Sequence, residues 1–111
     1  YAYGSVSSVA VTLNHNNRHS QTLTITANTP LTFTNFPASG SVGSITLDLT
    51  VAPTSTGVLT LPSAVIKADN VHGSDGTSDQ ITTGLGRFLF ELMSPDGGTT
   101  ILMHQLGKQY A

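Results

Sequence analysis

At 111 residues the chain is sized for one compact domain, and without cysteine it can hold neither a disulfide framework nor a thiolate metal site. Charged residues make up 9% of it, four Lys+Arg against six Asp+Glu, for a formal net charge of -2, which excludes the clustered cations of a nucleic-acid footprint. Hydrophobic residues reach 38%, enough for a core, yet no apolar run approaches the ~18–20 residues that span a bilayer, so no membrane insertion is expected.

Seventeen threonines and twelve serines make up more than a quarter of the chain, while Glu, Lys, Arg and Gln are scarce. Threonine suits the pleated sheet, and Ser, Asn and Gly suit the turns between strands, so an all-β protein is expected. The chain opens at Tyr1 rather than Met, as expected of a processed product or one domain of a longer protein.

Strict alternation of apolar and polar residues marks half-buried strands, because successive side chains point to opposite faces. Val9, Val11 and Leu13 alternate with Ala10 and Thr12 up to the polar cluster Asn14-His15-Asn16-Asn17. Leu23 and Ile25 alternate with threonines, and after Ala27-Asn28-Thr29 the pattern resumes with Leu31 and Phe33. Pro30, which has no N–H, suits a strand start or an edge. The strongest stretch sets Ile45, Leu47, Leu49 and Val51 on one face and Thr46, Asp48 and Thr50 on the other. Leu59 and Leu61 flank Thr60. From Lys67 to Gly86 the pattern lapses into a long polar connection, of a length that is usually mobile or functional in small domains. Phe88, Phe90 and Leu92 then share a face. Pro95-Asp96-Gly97-Gly98 reads as a tight turn leading to the returning strand of Ile101 and Met103. Seven or eight short strands without a credible helix predict an antiparallel β-sandwich, jelly-roll-like, as one domain over residues 1–111.

Several segments together resemble the C-terminal β-domains of bacteriophage tail-fibre and minor virion structural proteins. They are Asn28-Thr29-Pro30-Leu31-Thr32-Phe33-Thr34-Asn35-Phe36-Pro37-Ala38-Ser39-Gly40, Ser44-Ile45-Thr46-Leu47-Asp48-Leu49-Thr50, Leu61-Pro62-Ser63-Ala64-Val65-Ile66 and Asp96-Gly97-Gly98-Thr99-Thr100. Their order spans nearly the whole chain. Trp is absent, with Leu61 and Ile101 standing where that family usually has aromatics. The resemblance implies a virion structural module, often terminal on a fibre and often trimeric, located in the extracellular particle.

The chemistry-bearing residues are few. His15 and His19 are four apart, a spacing that would suit zinc only on a helix, and the intervening Asn16, Asn17 and Arg18 predict a turn instead. Asp69, Asn70, His72, Asp75 and Asp79 share the long connection with Gly73 and Gly76. Hard oxygen donors there could hold calcium, but the spacing departs from the EF-hand pattern, so no metal or cofactor is expected. Gly40-Ser41-Val42-Gly43-Ser44 has two residues between its glycines where a nucleophile elbow has three, and no enzyme is expected. The expected role is assembly: a homo-oligomer, three chains favoured, bound to other virion proteins. The five residues of the connection are the candidate contacts to a host-surface glycan. A capsid decoration protein and a carbohydrate-binding module are the alternatives.

Overall fold

Ten strands form in the computed structural model, which describes residues 1–6, 10–53, 57–68, 70–71 and 79–109. In chain order they are β1 (Ala2–Val6), β2 (Val11–Asn14), β3 (Ser20–Ile25), β4 (Thr29–Thr34), β5 (Gly43–Val51), β6 (Val58–Thr60), β7 (Val65–Lys67), β8 (Gln80–Thr82), β9 (Gly86–Ser94) and β10 (Ile101–Gln109). Among the described residues there is no helix, and hence none long and apolar enough to cross a membrane. The all-β expectation holds. Each predicted alternating run with described residues lies on or overlaps one of these strands. In β5, Ile45, Leu47, Leu49 and Val51 are buried, while Thr46, Asp48 and Thr50 lie on the other face.

The strands form a six-stranded sheet in the order β1-β3-β5-β9-β10-β7 and a four-stranded sheet in the order β2-β4-β6-β8. Both are mixed, which corrects the antiparallel expectation. Parallel pairs join β1 to β3, β3 to β5, β7 to β10, β2 to β4 and β4 to β6, whereas β5–β9, β9–β10 and β6–β8 are antiparallel. From β1 to β6 the chain changes sheet at every strand, so each strand pairs in parallel with the one two before it. Parallel neighbours require a crossover of roughly a dozen residues, usually a helix. Here the intervening strand of the other sheet occupies that stretch, so no helix is needed.

Three strands were not expected. β1, β7 and β8 are short, and β7 and β8 each bury one side chain, Val65 and Ile81 respectively. Such segments are too brief to show a period. β8 lies inside the stretch expected to be a polar connection. It antiparallel-pairs with β6, and just past its end the buried Thr83 Oγ1 and backbone N–H donate to the Gly57 carbonyl at 3.1 and 2.9 Å. Gly57 is required there: its φ is +76°, and a Cβ would lie 2.5 Å from Thr83 Oγ1.

Buried side chains of both sheets form one cluster. Leu23, Ile25, Leu47, Leu49, Phe88, Phe90 and Leu92 come from the larger sheet, and Leu13, Leu31, Leu59 and Ile81 from the smaller. The turn between β9 and β10 forms as expected, with positive φ at Gly97 and Gly98. Asp96 Oδ1 accepts from the Thr100 N–H at 2.8 Å and from Ser94 Oγ at 3.0 Å.

Candidate interaction surface

Of the five residues expected to contact a receptor, Asp69, His72 and Asp75 lie outside the described residues. Asn70 is described, and its amide is fully engaged: Nδ2 donates to the Gln105 carbonyl at 2.9 Å and Oδ1 accepts from the Gln105 N–H at 3.2 Å. A side-chain amide thereby extends the β7–β10 ladder past Lys67, and Val71 beside it is buried in the core. Asp79 is exposed, and its carbonyl accepts the Leu61 N–H at 2.7 Å. The two ends of the connection are therefore anchored, one to β10 and the other after β6.

His15 and His19 make different contacts. The His15 ring lies 5.6 Å from that of Phe36. His19 is exposed, with Nδ1 3.1 Å from Ser44 Oγ and Nε2 3.2 Å from Thr46 Oγ1. Among the described residues no group of three or more His, Asp or Glu is placed to hold a metal ion.

A buried polar network organises the turn between β2 and β3. Gln21, fully buried, donates from Nε2 to the carbonyls of Asn14 and Arg18, each at 2.8 Å, and its Oε1 accepts from Tyr3 Oη at 2.6 Å. Tyr3 Oη in turn accepts from the Asn14 N–H at 3.0 Å and from Asn17 Nδ2 at 3.2 Å. The Asn14 N–H belongs to β2, an outermost strand, so Tyr3 occupies a donor that would otherwise invite another strand. The chemistry is structural: every polar atom of Gln21 is satisfied.

The outward faces of the sheets differ. On the smaller sheet, Thr12, Pro30, Thr32, Thr60, Gln80 and Thr82 face outward, with Thr12 Oγ1 2.8 Å from Thr32 Oγ1. On the larger sheet, β3 and β5 present Thr22, Thr24, Thr46, Asp48 and Thr50, but β9, β10 and β7 present large apolar groups. Leu89, Leu102, Leu106 and Ile66 remain 38%, 41%, 51% and 56% exposed. The strand register sets Met93, Leu102 and Ile66 side by side in one row across the three strands. The next row pairs Glu91 with His104, whose Nε2 lies 3.3 Å from Glu91 Oε1.

Arg87 and Asp48 bridge β9 and β5 on this face. Arg87 Nε donates to Asp48 Oδ1 at 2.8 Å and Nη2 to Oδ2, the bidentate arrangement that suits guanidinium and carboxylate. The guanidinium's hydrogen bonds hold the Asp48 carboxyl below its ordinary value against the opposing effect of partial burial. The Thr100 backbone N–H does the same for Asp96.

The apolar face went unread in the sequence, although a signal exists. Alternation breaks in Gly86–Ser94, where Leu89 and Met93 interrupt the polar positions, and again at Leu102 between Ile101 and Met103. A strand that is apolar at both parities is the pattern of one covered on both sides. Comparisons with protein-family models, curated proteins and solved structures returned no match for this chain.

Proposed function

We propose that this chain is a structural module of a bacteriophage particle, in a tail fibre or similar appendage, that works by assembly. In this reading the two sheets stack as a sandwich, three copies associate, and neighbouring virion proteins bind the outer surfaces. The observation that carries it is the row of half-buried Met93 and exposed Leu102 and Ile66, with Leu89 and Leu106 beyond the Glu91–His104 pair, on a sheet whose β3–β5 half presents mostly threonines. An exposed apolar patch on a small domain marks an interaction surface. The ordered segments that resemble tail-fibre β-domains add the particle context. The connection of residues 69–79 is the proposed host contact, since both its ends are fixed while its middle carries His72 and Asp75.

Immunogold labelling of purified particles with an antibody to this chain tests the reading. Label at a fibre or baseplate supports it, label over the capsid shell moves it to a decoration role, and unlabelled particles reject it. Deleting residues 72–78, which leaves the Asn70 anchor and the buried Val71 in place, from a chain that still folds and assembles is expected to abolish adsorption to host cells. Undiminished adsorption removes the host-contact role from this segment.

A further inference from the structure

We infer that β1 is a releasable strap, opening from β3 while the rest of the fold stays intact. Its release uncovers a strand edge and a hydroxyl socket that take an extended, tyrosine-bearing segment in its place. The strap goes beyond the assembly reading and works wherever the chain sits in a particle.

Burial sets β1 apart. Ala2, Gly4 and Ser5 are exposed and Tyr3 is half-buried, so β1 buries no described side chain, whereas every other strand buries at least one. It lies at the rim of the six-stranded sheet with β3 as its single strand neighbour. Its pairing shifts register between Ala2 and Ser5, where Gly4 has a φ of +78°. A rim segment with few buried apolar contacts opens at lower free energy than the core.

The strand beneath the strap is of the opposite kind. β3 pairs with β5 over six consecutive residues, Ser20 to Ile25, without a bulge, and holds no proline and no charged residue. Those are the devices that protect an edge, and β3 lacks them. Its Thr22 N–H points to the rim and donates to the Tyr1 carbonyl at 2.8 Å. With β1 lifted, that backbone is ready for another parallel strand.

One side chain clasps the strap. Tyr3 Oη donates to Gln21 Oε1 at 2.6 Å and accepts from the Asn14 N–H at 3.0 Å and from Asn17 Nδ2 at 3.2 Å, the full capacity of a hydroxyl. The socket is held from behind: Gln21 is fully buried, and the bonds from its Nε2 to the Asn14 and Arg18 carbonyls turn Oε1 toward Tyr3. A buried acceptor beside two donors complements a hydroxyl and penalises an apolar end. The Tyr3 side chain packs against the core, and the hydroxyls of serine and threonine lie too near their own backbone to span the distance its ring covers. Asn14 belongs to β2 of the other sheet, so lifting β1 frees one N–H in each sheet, Asn14 and Thr22, in a single event.

Native-state hydrogen exchange is expected to give the Asn14 and Thr22 N–H groups one shared opening, more than about tenfold more populated than the opening that frees the Phe90 N–H in β9. Tyr3→Phe is expected to raise both rates about tenfold and to leave Phe90 unchanged. Exchange of the pair only at the Phe90 rate overturns the release, and a Tyr3→Phe effect confined to Asn14 overturns the single strap. The chain has no cysteine, so Ala2→Cys with Thr22→Cys, at paired positions, can lock β1 to β3. The oxidised lock is expected to slow Asn14 as well as Thr22, reversibly on reduction, and an Asn14 rate that ignores the lock overturns the proposal. If Tyr3→Phe loses its β circular-dichroism signature, the lock alone decides the release.

The probe for the socket is a synthetic peptide of residues 1–6, added in excess to the Tyr3→Phe chain, or to the reduced double-cysteine chain where that variant does not fold. The peptide is expected to slow Thr22 exchange, and the same peptide carrying Tyr3→Phe is expected to have less than about a tenth of that effect. Equal effects, or none at the highest soluble concentration, overturn the acceptance of a tyrosine-bearing segment. Particle labelling decides the assembly reading separately.

Discussion

The two outward faces of this protein are built from the same kind of strand and solve different problems. The four-stranded sheet turns threonines and Gln80 to the outside, where they bond one another, as Thr12 does with Thr32 and Gln80 with Thr60. The β9–β10–β7 half of the six-stranded sheet turns Leu89, Met93, Leu102 and Ile66 outward instead. Threonine keeps high strand propensity while leaving hydroxyls for water, so a sheet can be flat and extended without inviting contact. Leucine and isoleucine in register give up that protection. The difference teaches that strand formation and surface behaviour are set independently at alternate positions of one element.

The largest expected effect separates the two sides of β9. Phe90→Ala, in the core, is expected to cost about 3–5 kcal/mol in urea unfolding of the dilute chain. Leu89→Ala, one residue away and outward, is expected to cost less than about 0.5 kcal/mol under those conditions. Comparable losses at both positions would mean that the outward side is already buried in the dilute chain, and the contrast between faces would collapse.

A smaller effect probes what holds the first strands in place. Gln21→Leu keeps the volume but removes the donor to the Asn14 and Arg18 carbonyls and the acceptor for Tyr3 Oη. Stranding those buried groups is expected to cost about 1–3 kcal/mol by the same urea assay. Hydrogen exchange should show the loss concentrated in β1–β3, with β9 and β10 protected as before. Uniform loss of protection would instead make the network a support of the whole core.

The smallest effect concerns the polar half of the larger sheet's outer face. Hydrogen bonding to Arg87 depresses the Asp48 carboxyl in the folded protein below its ordinary value of 3.8. A depressed folded-state value contributes stability that is complete above the unfolded value and is lost as pH falls through the folded one. Thermal unfolding followed from about pH 6 to pH 2 should therefore show a stability loss beginning near 3.8, part of which disappears in Asp48→Asn. Asp96 adds a second contribution of the same sign through its Thr100 bond. The Arg87 side chain is more than half exposed, so the Asp48 part should be weakened by salt. A salt-independent loss would locate the pair in a drier setting, as if the face were covered.

Much of the fold was legible because period-two alternation assigns side chains to faces. The quartet from Ile45 to Val51 and the Phe88, Phe90, Leu92 trio could be placed in the core without any partner being known. Alternation is silent on the direction of the neighbouring strand, which is why antiparallel sheets were expected where β1–β3–β5 and β2–β4–β6 run parallel. It is also silent in segments of three residues, which hid β7 and β8. The candidate site was less legible. The polar connection attracted notice by composition, yet Asn70 is spent on the β10 backbone, a pairing 35 residues distant that no local pattern carries.

By itself, then, the amino-acid order determined that the chain would form strands, which side chains would line the interior, and where Gly97 and Gly98 would turn it. These follow from local backbone preference and the pleat. Tertiary structure alone decided that successive strands alternate between two sheets and that β9 comes to lie between β5 and β10. It also decided that Met93, Leu102 and Ile66 meet in one row. Their neighbourhood is a property of register between distant strands, and only the folded chain assembles scattered apolar positions into a surface.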